Sequence, residues 1–393
     1  MSAGHLHTPS RFLPDIPAVK WLRLIIVAAG LTFLAGLFTA PQRAWGSYLV
    51  GAYMTLGFGL AGAIFVSAHY LSGAGWGVVI RRIPENMASL IPVGGLLMVG
   101  SLLGIRQLYP WTHLEIVAES PVLAGKIAYL NIPFFILRMG FFLVVWSLLA
   151  RAINRHSLVQ DHDKALEHTI INRKLSAIFL LILGPTFTLA AVDWILSLQP
   201  EFYSTIFAIY LLCGLALSGT AAITLIAIFL RRLNYLPQLR DDHLHDLGKL
   251  MLTFSTLWAY MWLSQYLMIW YANIPEEIVF YLSRTEGIWG PLWLINLVLN
   301  WGIPFILLLP RWSKRREKVL LIACVVVLLG QWLDVSHLVM PVLQDRPVIG
   351  LIEIIVPLGG LALFTLLLLN RFSVATIIPV GDPFLQESMD HHQ

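Results

Sequence analysis

The sequence is short of charge. Asp, Glu, Lys and Arg make up only 12% of its 393 residues, against about 25% in an ordinary soluble domain, so most of the chain is not built to face water. Cysteine is nearly absent: Cys213 and Cys324 stand alone in separate apolar stretches. An iron–sulfur cluster needs about four thiolates, so this chain is expected to hold none, and the two thiols read as small apolar core residues. There is no Walker loop, no dinucleotide fingerprint and no nucleophile elbow. Long linkers and soluble domains are missing as well.

What fills the chain is hydrophobic residue, 58% of the total, with a mean hydropathy of +0.76. Apolar runs recur at about 20–39, 45–71, 86–105, 127–150, 174–196, 203–230, 248–272, 289–309, 318–340 and 349–370. Each is long enough to cross a hydrocarbon layer of roughly 30 Å as a helix. The short alternating segments of a membrane β-barrel do not occur. The pattern predicts an all-α polytopic membrane protein with ten transmembrane helices. The polar stretch before the first run suits a membrane anchor better than a cleaved signal peptide.

Basic residues orient the spans. With a cytoplasmic N-terminus, twenty Lys and Arg fall on inner segments, among them Arg81, Arg82, Arg151, Arg155, Arg231, Arg232 and the cluster Arg311–Lys318. Five fall outside: Arg43, Arg106, Lys126, Arg284 and Arg346. Both termini are therefore expected in the cytoplasm. The net charge of +4 reports topology and implies no nucleic-acid partner. Segment 73–84, "GAGWGVVIRRIP", is expected at the inner interface with its Arg pair facing the headgroups.

An internal repeat organises the chain. "NIPFFILR" (131–138) is echoed by "GIPFILLLPR" (302–311), and "VDWILSLQP" (192–200) by "LDVSHLVMP" (333–341). Asp193 and Asp334 each stand seven residues before a Pro. The order predicts two parallel four-helix bundles, 45–200 and 201–341. The segment 1–44, with the first span, and 342–393, with the tenth, are peripheral.

Ionisable groups inside spans are expensive and face bundle interiors or cavities. Arg138 stands thirteen residues before Arg151, about 20 Å from the inner surface, and Asp193 nineteen after Lys174, about 30 Å. Both belong in the outer third, as an ion pair lining a polar cavity or as a salt bridge fixing two helices. In the second bundle Leu309 takes the position of the Arg, leaving His337, three residues along the same helix face, as the available partner for Asp334. A carboxylate beside an imidazole suits a quinol-deprotonating site or a proton relay. The alternative is a hydrated interfacial cluster. Glu353 is placed at the same level, and His69 near the inner end as an entrance. Ser218, Thr220, Thr224, Thr256, Tyr260, Ser264 and Tyr266 are the polar relay candidates between the two halves.

No two histidines share a depth on facing helices, so no haem is expected in this chain. "DDHLHD" (241–246) reads as a solvated helix start ahead of a metal site. Tyr109, Trp111, Trp194, Tyr203, Trp270, Tyr271 and Trp289 read as an interfacial aromatic belt.

The stretches "FSTLWAYMWLSQYLMIWYANIPEE" (254–277), "DWILSLQPEFYSTIF" (193–207) and "GWGVVIRRIPE" (75–85) resemble the NrfD, or polysulfide-reductase-like, membrane subunits of alternative complex III. That complex is the bacterial quinol:electron-acceptor oxidoreductase of respiratory and photosynthetic chains. The resemblance covers nearly the whole chain and suits the smaller of the two such subunits. It implies a place in the bacterial cytoplasmic membrane and the quinone (or menaquinone) pool as substrate. The partners it implies are a second NrfD-like subunit, an extracytoplasmic iron–sulfur subunit and multihaem cytochrome c subunits. Haem c and iron–sulfur clusters then belong to those partners, and the chain is not expected to be catalytic alone. A secondary transporter or a purely structural anchor are the alternatives. The first is disfavoured because Pro185 in span five has no counterpart in span nine.

Overall fold

The computed structural model describes residues 17–344, 346–373 and 376–392. Arg11 and most of the polar N-terminal stretch lie outside them. Among the described residues the regular elements are helical and there is no strand. The long helices are α1 (Ala18–Thr39), α2 (Pro41–Ser72), α3 (Arg82–Leu108, broken near Ser89), α4 (Ile132–Asp163), α5 (Leu166–Leu198, ending in a 3-10 turn) and α6 (Phe207–Arg232). They continue with α7 (Asp241–Ala272), α8 (Gly287–Leu308), α9 (Glu317–Leu343) and α10 (Leu351–Phe372). Nine of these are long and apolar enough to cross a membrane. α7 is 32 residues long but dilutes its apolar content with Trp258, Tyr260, Trp262, Gln265, Tyr266, Trp270 and Tyr271. The chain is an all-α polytopic membrane protein.

Local chemistry sets the helix ends. Asn131 caps α4 by accepting from Phe134 N at 3.0 Å, and Pro133 sits in the first turn, where its missing N–H costs nothing. α2 stops at Gly73, whose φ of 62° is the left-handed conformation that glycine adopts freely. α7 stops at Asn273 in the same conformation.

The helices pack as two closed rings. In the first, α2 contacts α3, α3 contacts α4, α4 contacts α5, and α5 returns to α2. In the second, α6, α7, α8 and α9 close in the same order. α2 also touches α6, α9 and α10, while α1 lies against α10 and is largely lipid-facing. α2 is therefore the shared wall, and 89% of its most apolar stretch is buried. Small residues let neighbours approach it. A Cβ on Gly94 would stand 2.5 Å from Leu56 Cα, and one on Gly62 2.5 Å from Pro84 O.

One end of the rings is closed by the C-terminal segment, residues 376–392; this is the tail face, and the opposite end is the loop face. Ser388 Oγ donates to Trp76 O (2.5 Å) and accepts from Val79 N (3.1 Å). His243 Nε2 donates to Ser388 O (2.9 Å), and His391 pairs with Asp246 (2.7 Å). Here an expectation is corrected. Arg81 and Arg82 do not face headgroups: both are buried, Arg81 on Asp382 of the tail, and Arg82 on Glu85 and Asp161. Glu85 is one helical turn from Arg82, but Asp161 and Asp382 are distant in sequence, so hydropathy alone could not place them.

The first sequence echo is corrected too. Ile132 opens α4 at the loop face, whereas Ile303 follows a π-helical turn, 298–302, deep in α8 and just before the tail-face basic cluster. The two motifs therefore stand at opposite depths, and Leu309, an exposed residue, is no counterpart of Arg138. Pro200 lies beyond its helix, while Pro341 is inside α9.

The close approach at α2 gives a test. Gly94→Val should lower the thermal midpoint of the detergent-solubilised protein, at a cost of about 1–3 kcal/mol. Gly140→Val, at a helical position with nothing within 4 Å, should not. Equal midpoints for the two variants would remove the packing argument.

Candidate functional site

Two buried carboxylates stand at matching places, late in the closing helix of each ring, and their partners differ in kind. In the first ring Asp193 of α5 meets Arg138 of α4. Arg138 Nε donates to Asp193 Oδ2 at 2.7 Å and Nη2 to Oδ1 at 2.9 Å, the fork geometry that makes guanidinium–carboxylate pairs strong. Nη1 donates to Tyr129 O at 2.9 Å. The guanidinium carbon lies 3.9 Å from the centre of the Tyr129 ring and 4.3 Å from that of Phe134. The turn after Asp193 is tied as well: Ser197 Oγ donates to Asp193 O (2.5 Å) and Tyr109 Oη to Trp194 O (3.0 Å). Every contact here fixes the pair.

In the second ring Asp334 of α9 has no cation among its hydrogen-bond partners. Asn296 Nδ2 of α8 donates to Oδ1 at 2.7 Å, Trp258 Nε1 of α7 donates to Oδ2 at 3.1 Å, and Tyr210 Oη of α6 donates to Oδ1. One donor thus comes from each of the other three helices of the ring. Asn296 occupies the place that Arg138 holds in the first ring, but it brings a single neutral hydrogen bond.

Behind Asn296 the polar contacts continue. Asn300 Nδ2 donates to Asn296 Oδ1 (2.6 Å), Gln331 Nε2 to Asn300 Oδ1 (2.7 Å), and Ser255 Oγ to Asn300 O (2.6 Å). Asn300 lies on the π-helical turn of α8, an irregularity often found at functional sites. Glycines make room for these amides: a Cβ on Gly330 would meet Asn300 Oδ1 at 2.8 Å, and one on Gly214 would meet Gln331 Oε1 at 2.6 Å.

Asp334 also lies between two small cavities. One, toward the loop face, is lined by His337, Gln265, Arg284, Tyr281 and Trp262; the other by Tyr53, Ser218 and Gln331. Each has about 20 Å³ of free space, enough for one water. Arg284, expected in an outer loop, is buried. It lies 3.6 Å from the centre of the Phe280 ring and donates to Phe280 O (2.7 Å), Leu338 O (2.8 Å) and Gln199 Oε1 (3.1 Å).

Other sequence candidates fall elsewhere. His337 makes no hydrogen bond to Asp334 among the described residues. Its ring packs edge-on against Trp289 at 5.7 Å and reaches Asp334 only across the cavity. Three donors from other helices already fill the carboxylate. Glu353 belongs to a separate pair, bound by Arg43 at 2.8 and 3.0 Å and accepting from Gly350 N at 2.9 Å, so it caps the start of α10. His69 is no open entrance. Nδ1 donates to Phe65 O (2.8 Å), the ring stacks on Phe65, and segment 75–80 and the tail cover it.

On α7 the relay register is corrected: Thr256 and Tyr260 are exposed, and Ser255, Trp258, Trp262 and Gln265 face inward. Ser264 is half-buried, and Tyr266 packs on Tyr281 and Trp293. The hydroxyls of Thr220 and Thr224 donate to carbonyls of their own helix, at 2.8 and 2.7 Å. Ser218 alone of the seven lines a cavity beside Asp334. Of the expected aromatic belt, Tyr109, Trp111, Trp194 and Trp289 are buried, and only Tyr203, Trp270 and Tyr271 are exposed.

Tyr210, Trp258, Asn296, Asn300 and Gln331 are the residues that an inventory of ionisable groups passes over. Their signal was present: Asn296 and Asn300 stand four apart on one helix face, and Gln331 three before Asp334.

Breaking a buried ion pair on one side costs about 3–5 kcal/mol, because the other charge is stranded. Asp193→Asn should therefore destabilise the protein by that order, read as a fall in thermal midpoint or yield. The double variant Arg138→Met/Asp193→Leu, which strands nothing, should recover most of the loss. A destabilised double variant and a stable single one would contradict the structural role.

No family model matches the chain, and no curated protein matches it in sequence.

Proposed function

We propose that this chain is an integral membrane subunit of a quinol-oxidising electron-transfer complex of the NrfD-like kind, and that Asp334 is its proton-loading carboxyl. In this reading α7 is a tenth span, both termini are cytoplasmic, and the loop face is the outer face. Quinone or menaquinone is held near that face. Electrons leave through iron–sulfur and c-type haem centres in partner subunits.

The observation that carries the reading is the contrast between the two carboxylates. Protonating Asp193 would strand the guanidinium of Arg138 in a buried site. Protonating Asp334 breaks no hydrogen-bonded ion pair, because its partners Tyr210, Trp258 and Asn296 are neutral. The first ring therefore supplies rigidity and the second supplies chemistry. Asn296, Asn300 and Gln331 hold the carboxyl and its helices in register; amides do not themselves pass protons on. Exchange with the loop face runs through one water in the cavity shared with His337, a distance no direct hydrogen bond covers. A quinol deprotonated near that face would deliver its proton there.

Asp334→Asn keeps the shape and most of the hydrogen bonds but cannot carry a proton. In complex purified from membranes it should leave assembly intact and lower quinol-dependent turnover or proton yield by about 10²-fold. Unchanged turnover and proton yield would exclude Asp334 from the chemistry. Purification of the chain alone, without haem c or iron–sulfur absorption, would exclude the complex itself.

A further inference from the structure

A pocket of about 510 Å³ opens on the tail-face side of the first ring, lined by Arg151, Arg155, His162, Arg371, Asn154 and Ser89, with Pro92, Leu158 and Val159 as its apolar wall. Arg151, Arg155 and Arg371 form no ion pair among the described residues, and no carboxylate lines the pocket. On the same face Arg81, Arg82, Arg231, Arg232 and Arg315 are each paired with Asp or Glu. Three guanidinium groups converge here on space that holds no protein anion.

Depth says what meets them. Arg151 follows the start of α4 at Ile132 by nineteen residues, and Arg371 follows the start of α10 at Leu351 by twenty. At 1.5 Å per residue both stand about 30 Å along, where the hydrocarbon ends and the headgroups begin. Two helices from different parts of the chain thus present Arg at one level. On the membrane side of the pocket the surface turns apolar: Leu148, Val144 and Phe141 descend one face of α4, and Leu96, Val99 and Leu103 descend α3, all exposed. A free anion would use only the arginines. A phospholipid would use both parts, its phosphate in the cationic pocket and its acyl chains along the two helices.

We infer that this pocket binds the headgroup of an anionic phospholipid of the phosphatidylglycerol or cardiolipin type. The arginines fork onto phosphate oxygens, Ser89 and Asn154 offer polar contacts to the glycerol, and the exposed apolar strip seats the chains. Basic pockets between transmembrane helices at this level suit such headgroups. The inference is independent of any electron-transfer role.

The test is native mass spectrometry of the detergent-solubilised protein titrated with phosphatidylglycerol, with phosphatidylcholine in parallel. Each positive charge at the headgroup level contributes a factor of about five. Arg151→Gln/Arg371→Gln should therefore weaken phosphatidylglycerol binding about 25-fold, and Arg151→Lys/Arg371→Lys should retain most of it. Lys174→Gln/Lys318→Gln, which removes the same charge elsewhere on that face, should change it less than about twofold. Phosphatidylcholine binding should not follow the variants. The inference is overturned if the Arg→Gln and control variants bind phosphatidylglycerol alike. It is also overturned if inorganic phosphate at matched concentration displaces the lipid, which would make this a site for the free anion.

Discussion

A carboxylate buried among membrane helices must find its hydrogen-bond donors on neighbouring helices, and that constraint organises both halves of this protein. Asp193 and Asp334 each stand late in the helix that closes a ring, and each is reached by side chains of other helices. The requirement fixes helix rotation: α7 must turn Trp258 inward, α8 must turn Asn296 inward, and α6 must bring Tyr210 within reach. Once those faces are set, the outward faces are set with them, which is why Thr256 and Tyr260 are exposed. Without solvent to satisfy a misplaced polar group, few alternative packings remain.

The two rings solve the same problem with different consequences. A guanidinium neutralises Asp193 and locks it; a phenol, an indole and an amide satisfy Asp334 without neutralising it. In the proposed function one ring is therefore a rigid wall and the other the place where charge changes. α2 couples them, packing on both, and its Tyr53 lines a cavity beside Asp334. The tail adds a second lock at the opposite end, where Asp382, Ser388 and His391 clasp segment 75–81 and the start of α7.

Much of the architecture was legible in the sequence because hydrocarbon thickness and helix rise are fixed quantities. Apolar runs become helices, and the level of Arg138 and Asp193 follows from counting residues between basic landmarks. What could not be read was rotation. The relay residues chosen on α7 differ from the inward-facing ones by one or two positions, a shift that turns a residue from core to lipid. Distance in sequence hid the pairs of Arg81 with Asp382 and Arg43 with Glu353, separated by about three hundred residues. The motif echo between 131–138 and 302–311 misled because similar letters fell at opposite depths. Neutral amides carry no charge to mark them in a sequence, although Asn296, Asn300 and Gln331 hold the interior site together.

The central claim is that Asp334 changes its protonation state during turnover and Asp193 does not. Infrared difference spectroscopy of the complex, reduced by quinol and reoxidised, measures this directly through the carboxylic C=O stretch. The account predicts a carboxyl band that is absent in Asp334→Asn and unchanged in a variant replacing both Arg138 and Asp193. A spectrum identical in Asp334→Asn and the unaltered protein would contradict it.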